Sequence, residues 1–170
     1  MKNKCLIAAL SSMLVLTSAS AADDEGAGFF AKGKKQFTLF GGTGYAFDES
    51  YIVLGAGLRY YVIDGLNIGL DLETWTSGDP GILKITASTQ YVFYQAAKVQ
   101  PYVGVFYRYT DVENLESIDS AGGRAGVYLA MGRNSHVGLG VVYESYIDCN
   151  PRVWSSCDET YPEVSFAFAF

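Results

Sequence analysis

The 170-residue chain has little of the residue types on which most metal centres and hydrolytic sites depend. It contains three cysteines, two tryptophans and one histidine. The single histidine, His136, cannot supply the further ligands that a two-cysteine zinc site requires, so no metal and no other cofactor is predicted. After residue 22 the chain also lacks any apolar run of the roughly 20 residues that a membrane-spanning helix needs.

The long apolar run that does occur lies at the amino terminus. Lys2 and Lys4 precede about a dozen apolar residues over 5–16, and small residues follow. This pattern is typical of a secretory signal peptide, with cleavage after Ala21, so residues 1–21 are predicted to be removed. The loss of two lysines makes a chain with a formal charge of −6 more acidic still.

The cysteines fall into two groups. Cys5 lies in the signal segment, and Asn3 and Lys4 precede it where a lipoprotein signal needs apolar and small residues. Cys149 and Cys157 remain in an exported chain, and their even number favours a disulfide over a pair of free thiols.

Hydrophobic residues, 49% of the chain, recur with a period of two. In the segment 66–73, Leu and Ile alternate with Asn, Gly, Asp and Glu. In a strand this alternation places the apolar residues on one face and the others on the opposite face, which a helix would not do. The same test predicts eight strands, at 36–47, 51–63, 66–76, 82–95, 99–110, 121–132, 135–147 and 160–170. Asp64-Gly65 is a strong two-residue hairpin signal between two of them.

Eight strands of this length can each cross a bilayer at a tilt. An open sheet edge cannot be satisfied in hydrocarbon, so strand 1 must pair with strand 8. The sequence therefore predicts an all-β fold, an eight-stranded antiparallel transmembrane β-barrel over 36–170. A short polar lead over 22–35, expected to be mobile, precedes it.

The two faces of the predicted strands differ in polarity. The outward face carries no charged residue, as a lipid-facing band requires. The inward face carries four basic and four acidic residues, which we interpret as a salt-bridge network filling the lumen: Arg59, Asp71, Glu73, Lys84, Arg108, Arg124, Glu144 and Glu163. By strand direction, all of these except Arg59 and Asp71 are expected in the outer half of the lumen.

Glycines share the inward phase, including Gly57, Gly69, Gly138 and Gly140, and are expected to make room for arginine and tyrosine side chains. The run Gly41-Gly42-Thr43-Gly44 fits this alternation. No helix follows it, so it does not indicate a phosphate-binding loop.

The last strand alternates Phe166, Phe168 and Phe170 with small residues. This pattern resembles the terminal strand of small bacterial outer-membrane β-barrels, the superfamily that includes the OmpA transmembrane domain and the OmpX-like and OmpW-like proteins. The resemblance covers 36–170 and implies an integral outer-membrane protein of a Gram-negative envelope. It further implies that the three phenylalanines are the insertion signal read by the barrel-assembly machinery. Outer-membrane lipids and lipopolysaccharide are the implied partners; no nucleic acid is expected, and no oligomeric state is indicated.

After export the amino terminus starts in the periplasm, so the loops between strands 1 and 2, 3 and 4, 5 and 6, and 7 and 8 face outward. These loops are rich in carboxylates, among them Glu49, Asp79, Asp111 and Glu113. The rim could share Mg²⁺ or Ca²⁺ with lipopolysaccharide phosphates, although a solvated acidic surface is the simpler interpretation.

Small outer-membrane barrels include lipid A-modifying enzymes, so we considered catalysis. Ser135 and His136 stand at the periplasmic start of strand 7, far from lipid A in the outer leaflet, and Gly138 replaces the serine of the His-x-Ser pattern of lipid A deacylases. His136 is interpreted as a polar residue near a turn, and no catalytic residue is predicted. A hydrolase that uses Glu144 or Glu163 alone is left open.

Three functions follow from these observations. The first is a non-catalytic envelope protein with a side-chain-plugged lumen, in a structural or surface-interaction role. The second is a narrow channel for small solutes, and the third is a lipid A-modifying enzyme.

Overall fold

The computed structural model describes residues 27–46, 49–96, 98–132, 134–147, 149 and 156–170. The predicted signal peptide, 1–21, lies outside the described residues. Among those that are described, no helix is long and apolar enough to cross a membrane.

Eight antiparallel strands close into one barrel in chain order, with β1 beside β8. The predicted fold is thereby confirmed. A single 3₁₀ turn, Gly28–Phe30, precedes the strands, which are β1 (Lys35–Ala46), β2 (Glu49–Ile63), β3 (Leu66–Thr76), β4 (Ile82–Val92), β5 (Val99–Val112), β6 (Ile118–Gly132), β7 (Ser135–Tyr146) and β8 (Asp158–Ala169).

Several strand boundaries differ from the prediction by two or three residues, as three examples show. β4 ends at Val92, the last of its residues that pairs with β5, where it faces Tyr102. β6 begins three residues early, at Ile118, since Ile118 still pairs with Thr110. β8 begins at Asp158, where it pairs with β7. In each case cross-strand pairing sets the boundary, and the polarity pattern of one strand does not.

The closing pair of the barrel is the shortest. β1 and β8 are in register from Gln36–Ala169 to Gly41–Val164. Beyond this point each strand continues only with its other neighbour, β1 with β2 and β8 with β7. Pro162 lies two residues beyond Val164 and has no N–H to donate to β1. The β1–β8 ladder therefore covers only the half of the seam nearest the two termini.

The outer surface is apolar and the interior is polar, the reverse of a soluble protein. Large hydrophobic side chains are exposed around the wall, such as Leu70 at 62% and Val105 at 60%. Ionisable side chains are buried inside, such as Asp71 at 2% and Glu144 at 0%. An exterior of this kind is stable only against an apolar solvent, as in a membrane-spanning barrel.

The end of the barrel that carries both chain termini, which we call the termini end, is closed by an aromatic plug. Phe29 and Phe30 are buried and pack in one cluster with Tyr61, Tyr102 and Tyr128. The expectation of a mobile lead is wrong for residues 27–34, which fold across the opening of the barrel. The two adjacent phenylalanines have no strand periodicity, but their apolar surface is removed from water when they enter the lumen.

Backbone hydrogen bonds fix this segment to the turn between β2 and β3. The Phe30 carbonyl accepts from the Gly65 amide (2.9 Å), and the Lys32 amide donates to the Asp64 carboxylate (2.7 Å). Gly65 has a φ of +78°, which glycine adopts without steric cost. The predicted Asp64-Gly65 hairpin turn is thus also the anchor of the plug.

The opposite end, the loop end, is closed by a smaller apolar layer. Tyr51, Ile82 and Val112 are buried together, with Trp75 packed against them. The Tyr51 hydroxyl donates to the Pro80 carbonyl (3.2 Å), which ties the β3–β4 loop over the opening. Both ends of the lumen are therefore covered by side chains among the described residues.

Inward glycines make room for large neighbours, as predicted. A Cβ on Gly57 would collide with the Asp71 carboxylate, and one on Gly140 would collide with the Tyr102 hydroxyl. The interior of the barrel is filled because small residues on one strand face large ones on the next.

We predict that Phe30→Ala destabilises the barrel by about 3 to 5 kcal/mol, the usual cost of removing a buried aromatic ring. Unfolding in detergent, followed by circular dichroism and by heat-dependent gel mobility, measures this. Phe93→Ala is the matched control, because Phe93 lies at the same end but is 44% exposed. Equal effects of the two substitutions would contradict the plug.

Candidate functional site

The candidate site is the charged interior of the barrel. Its ionisable side chains form two clusters. The first, which we call the Asp71 cluster, consists of Arg59, Asp71, Arg124 and Glu163. The second, the Glu144 cluster, consists of Glu73, Arg108 and Glu144 with the hydroxyl groups of Thr86, Ser120 and Tyr161.

In the Asp71 cluster, one carboxylate serves two arginines. Arg59 Nη2 donates to both oxygens of Asp71 at 3.1 Å. Arg124 Nη1 lies 3.7 Å from the same carboxylate and 3.4 Å from Glu163. β2, β3, β6 and β8 each contribute one residue, so the cluster ties together opposite sides of the wall.

In the Glu144 cluster, a completely buried carboxylate is held on both oxygens. Arg108 and Tyr161 donate to Oε2 at 2.5 and 2.9 Å, and the Ser120 hydroxyl donates to Oε1 at 2.5 Å. Arg108 is held in turn by the Thr86 hydroxyl (2.8 Å), and it lies 3.9 Å from Glu73. Three donors are thus aimed at the Glu144 carboxylate, which reduces the cost of burying its charge.

Aromatic rings complete the charged layer. The guanidinium groups of Arg108 and Arg124 lie 4.9 and 5.2 Å from the Phe106 ring, so one ring contacts both clusters. Lys84 Nζ lies 4.2 Å above the Trp75 ring, while the Trp75 indole N–H bonds Glu73. Cations held over aromatic faces are stabilised by the ring quadrupole.

The predicted inward residues are buried except Glu163, whose side chain is 16% exposed, and their grouping differs from the expectation. Arg124 and Glu163 were expected with Arg108 and Glu144 in the outer half of the lumen. Instead Arg124 pairs with both Glu163 and Asp71, and Asp71 in turn pairs with Arg59. The reason is the stagger between strands, which displaces neighbouring residues along the barrel and is not visible in one strand's pattern.

The sequence reasoning missed the neutral partners of the charges. Ser120 lies one residue before the predicted start of β6, and Tyr161 lies near the start of β8. The polarity pattern assigned neither of them a role. Their inward phase on β6 and β8 was the available signal. Phe29 and Phe30 carried no periodic signal at all.

His136 was interpreted as a polar turn residue, but it lies in β7 and its side chain is buried. It is 5% exposed and packs in the aromatic plug, with its ring centroid 4.1 Å from that of Phe29 and 5.2 Å from that of Phe30. Its contacts are those of a plug residue.

The predicted disulfide is confirmed. Cys149 and Cys157 are bonded, with Cα atoms 5.6 Å apart, and join the end of β7 to the start of β8. On the acidic rim, the described residues contain no group of three or more His, Cys, Asp or Glu placed to hold a metal ion.

The fold, the apolar exterior and the paired interior invite comparison with known proteins. No protein-family model and no curated protein matches the chain. The N-terminal β-barrel domain of Pseudomonas aeruginosa OprF is similar in structure, with a TM-score of 0.66 and 13% identity over 82% of this chain and 98% of that one. Neisserial surface protein A gives a TM-score of 0.57 at 15% identity, over 81% and 96%.

A de novo designed transmembrane β-barrel also matches, with a TM-score of 0.53 and 17% identity over 82% of this chain and 97% of that one. At these identities the likeness is one of fold. The chain has the fold of small eight-stranded outer-membrane barrels. With its exposed apolar wall, this fold is that of a membrane-spanning barrel.

We predict that Arg108→Leu destabilises the barrel by about 3 to 5 kcal/mol, because it leaves Glu144 buried without its cation. The double variant R108L/E144L should recover much of that loss, since both charges are then absent. Denaturation in detergent measures the free energy of unfolding of R108L, of the single variant E144L and of the double variant. If the double variant is as unstable as the sum of the two single variants, the pair is not coupled and this account is wrong.

Proposed function

We propose that the protein is a non-catalytic outer-membrane barrel whose lumen is plugged by side chains and whose role in the envelope is structural. The observation that carries this proposal is the Glu144 cluster, in which a buried carboxylate receives three hydrogen bonds. A group held so completely is suited to a fixed structure, and not to exchange of ligands.

The sequence of layers along the lumen supports the same proposal. From the termini end there follow the aromatic plug, the Asp71 cluster, Phe106, the Glu144 cluster and the apolar layer around Tyr51. A hydrated ion would have to displace both an apolar layer and paired charges. Separating the paired charges is costly, because a buried ion that loses its partner is strongly destabilising.

One observation favours the second candidate, a narrow polar passage. Among the described residues, several buried polar atoms have no hydrogen-bond partner in the protein, including Arg59 Nε, both polar atoms of the Asn67 side chain and Ser88 Oγ. Arg59 and Ser88 both align with Gly69 across neighbouring strands, and Asn67 lies two residues from it. Buried groups of this kind are commonly satisfied by water.

The third candidate, a lipid A-modifying enzyme, has less support. Acyl-ester hydrolysis needs a nucleophile, a base and open access for the substrate. Glu144 is completely buried and engaged on both oxygens. Mass profiles of lipid A from cells with and without the protein test this candidate, and a change in acylation would replace our proposal.

Conductance in planar bilayers tests the plug. We expect no sustained single-channel conductance from the wild-type barrel, because its ends and its charged layer are closed. The triple variant F30A/Y51A/R108A should conduct, since it removes an aromatic ring from the layer at each end and the cation from the Glu144 cluster. Leu54→Ala, on the exposed outer wall, is the control and should behave as wild type.

Sustained conductance of the wild-type barrel would favour the narrow channel over the plug. Heat-dependent gel mobility before each recording shows that the variants are folded, so an absence of current in F30A/Y51A/R108A would count against the assignment of these layers as the barrier.

A further inference from the structure

An apolar groove of about 970 Å³ crosses the outer wall of the barrel over β1 to β4. Its lining is almost entirely apolar. Small residues line it, including Ala56 and Ala87, and larger ones such as Leu58 and Leu70 stand beside them. Its size falls in the range of sites that hold small molecules.

The groove has a direction. Phe37, Leu58, Leu70 and Ala87 are successive register partners on the four strands, and all line the groove. Phe37 lies near the start of β1, whereas Ala87 lies in the middle of β4. At a strand spacing of about 4.8 Å, this row is about 14 Å long. The row crosses the strands, which tilt by roughly 40° from the membrane normal, so it rises only about 9 Å along that normal. The groove thus runs from near the termini end toward the middle of the wall.

A cation stands at the entrance to the groove. Lys35 is exposed, lines the groove and is hydrogen-bonded through its backbone to Phe170, the other lining residue at that end. Lys32 and Lys34 are exposed just before it in the chain. Apolar walls that lead to a basic entrance match a lipid whose acyl chain is apolar and whose headgroup is anionic.

We propose that this groove binds one acyl chain of an anionic phospholipid, with its phosphate beside Lys35. In the orientation expected from export, the termini end faces the periplasmic leaflet, which is built of phospholipid. The site lies outside the lumen, so it does not depend on whether the barrel is plugged.

Native mass spectrometry of the purified full-length barrel in detergent tests the headgroup preference. The probes are dimyristoyl phosphatidylglycerol and, with the same acyl chains but no net charge, dimyristoyl phosphatidylcholine. We expect the anionic lipid to be retained more strongly. Lys35→Gln should weaken its binding about fivefold, the effect of one lysine near an anionic lipid surface, and should weaken the zwitterionic lipid less, because choline offsets the charge of its phosphate. Lys98→Gln is the matched control, because Lys98 is exposed at the same end and does not line the groove.

Filling the groove tests the acyl-chain site. Ala87→Leu should reduce retention of both lipids, whereas Ala125→Leu, exposed on β6 outside the groove, should have no effect. Heat-dependent gel mobility checks that each variant is folded.

Four results would overturn the proposal: equal retention of the two lipids, no retained lipid, equal effects of K35Q and K98Q, or equal effects of A87L and A125L. A dimer mass that A87L abolishes would identify a second copy of the chain as the occupant instead.

Discussion

The structure depends on the compensation of charge inside a wall that excludes bulk water. Four basic and four acidic side chains lie in the lumen, and a buried ion without a partner is strongly destabilising. The barrel meets this constraint with shared partners: Asp71 serves two arginines, and Glu144 receives an arginine, a serine and a tyrosine. Each cluster spans several strands, so neutralising the charges also fixes the strands relative to one another.

The ends of the barrel follow from the same constraint. Apolar side chains pack at both ends of the charged layer. The outer rims differ in sign, with carboxylates such as Asp111 and Glu113 at the loop end and lysines such as Lys34 and Lys98 at the termini end. This asymmetry gives the barrel a polarity along its axis, which suits a bilayer whose two leaflets differ in headgroup chemistry.

The fold could be predicted because strand periodicity is a local property, as in the alternation over 66–73, and because hydrocarbon demands closure. The inward position of Arg124 was predictable for the same reason. Its partner was not, because Asp71 lies on a distant strand and their meeting depends on stagger and tilt. The plug was missed because its residues Phe29 and Phe30 are adjacent. A search for apolar residues that recur with a period of two does not detect an adjacent pair.

The short seam between β1 and β8 has a consequence for how the wall forms and moves. Seven of the eight strand pairings join neighbours along the chain. The eighth pairs β1 with β8 and brings Gln36 to Ala169, which closes the longest loop and carries the greatest loss of chain entropy. The same ladder stops at Gly41 and Val164, so fewer backbone hydrogen bonds resist its separation. Local opening is least costly where the fewest bonds must break together. The barrel thus has one edge that is the last to form and the first to part.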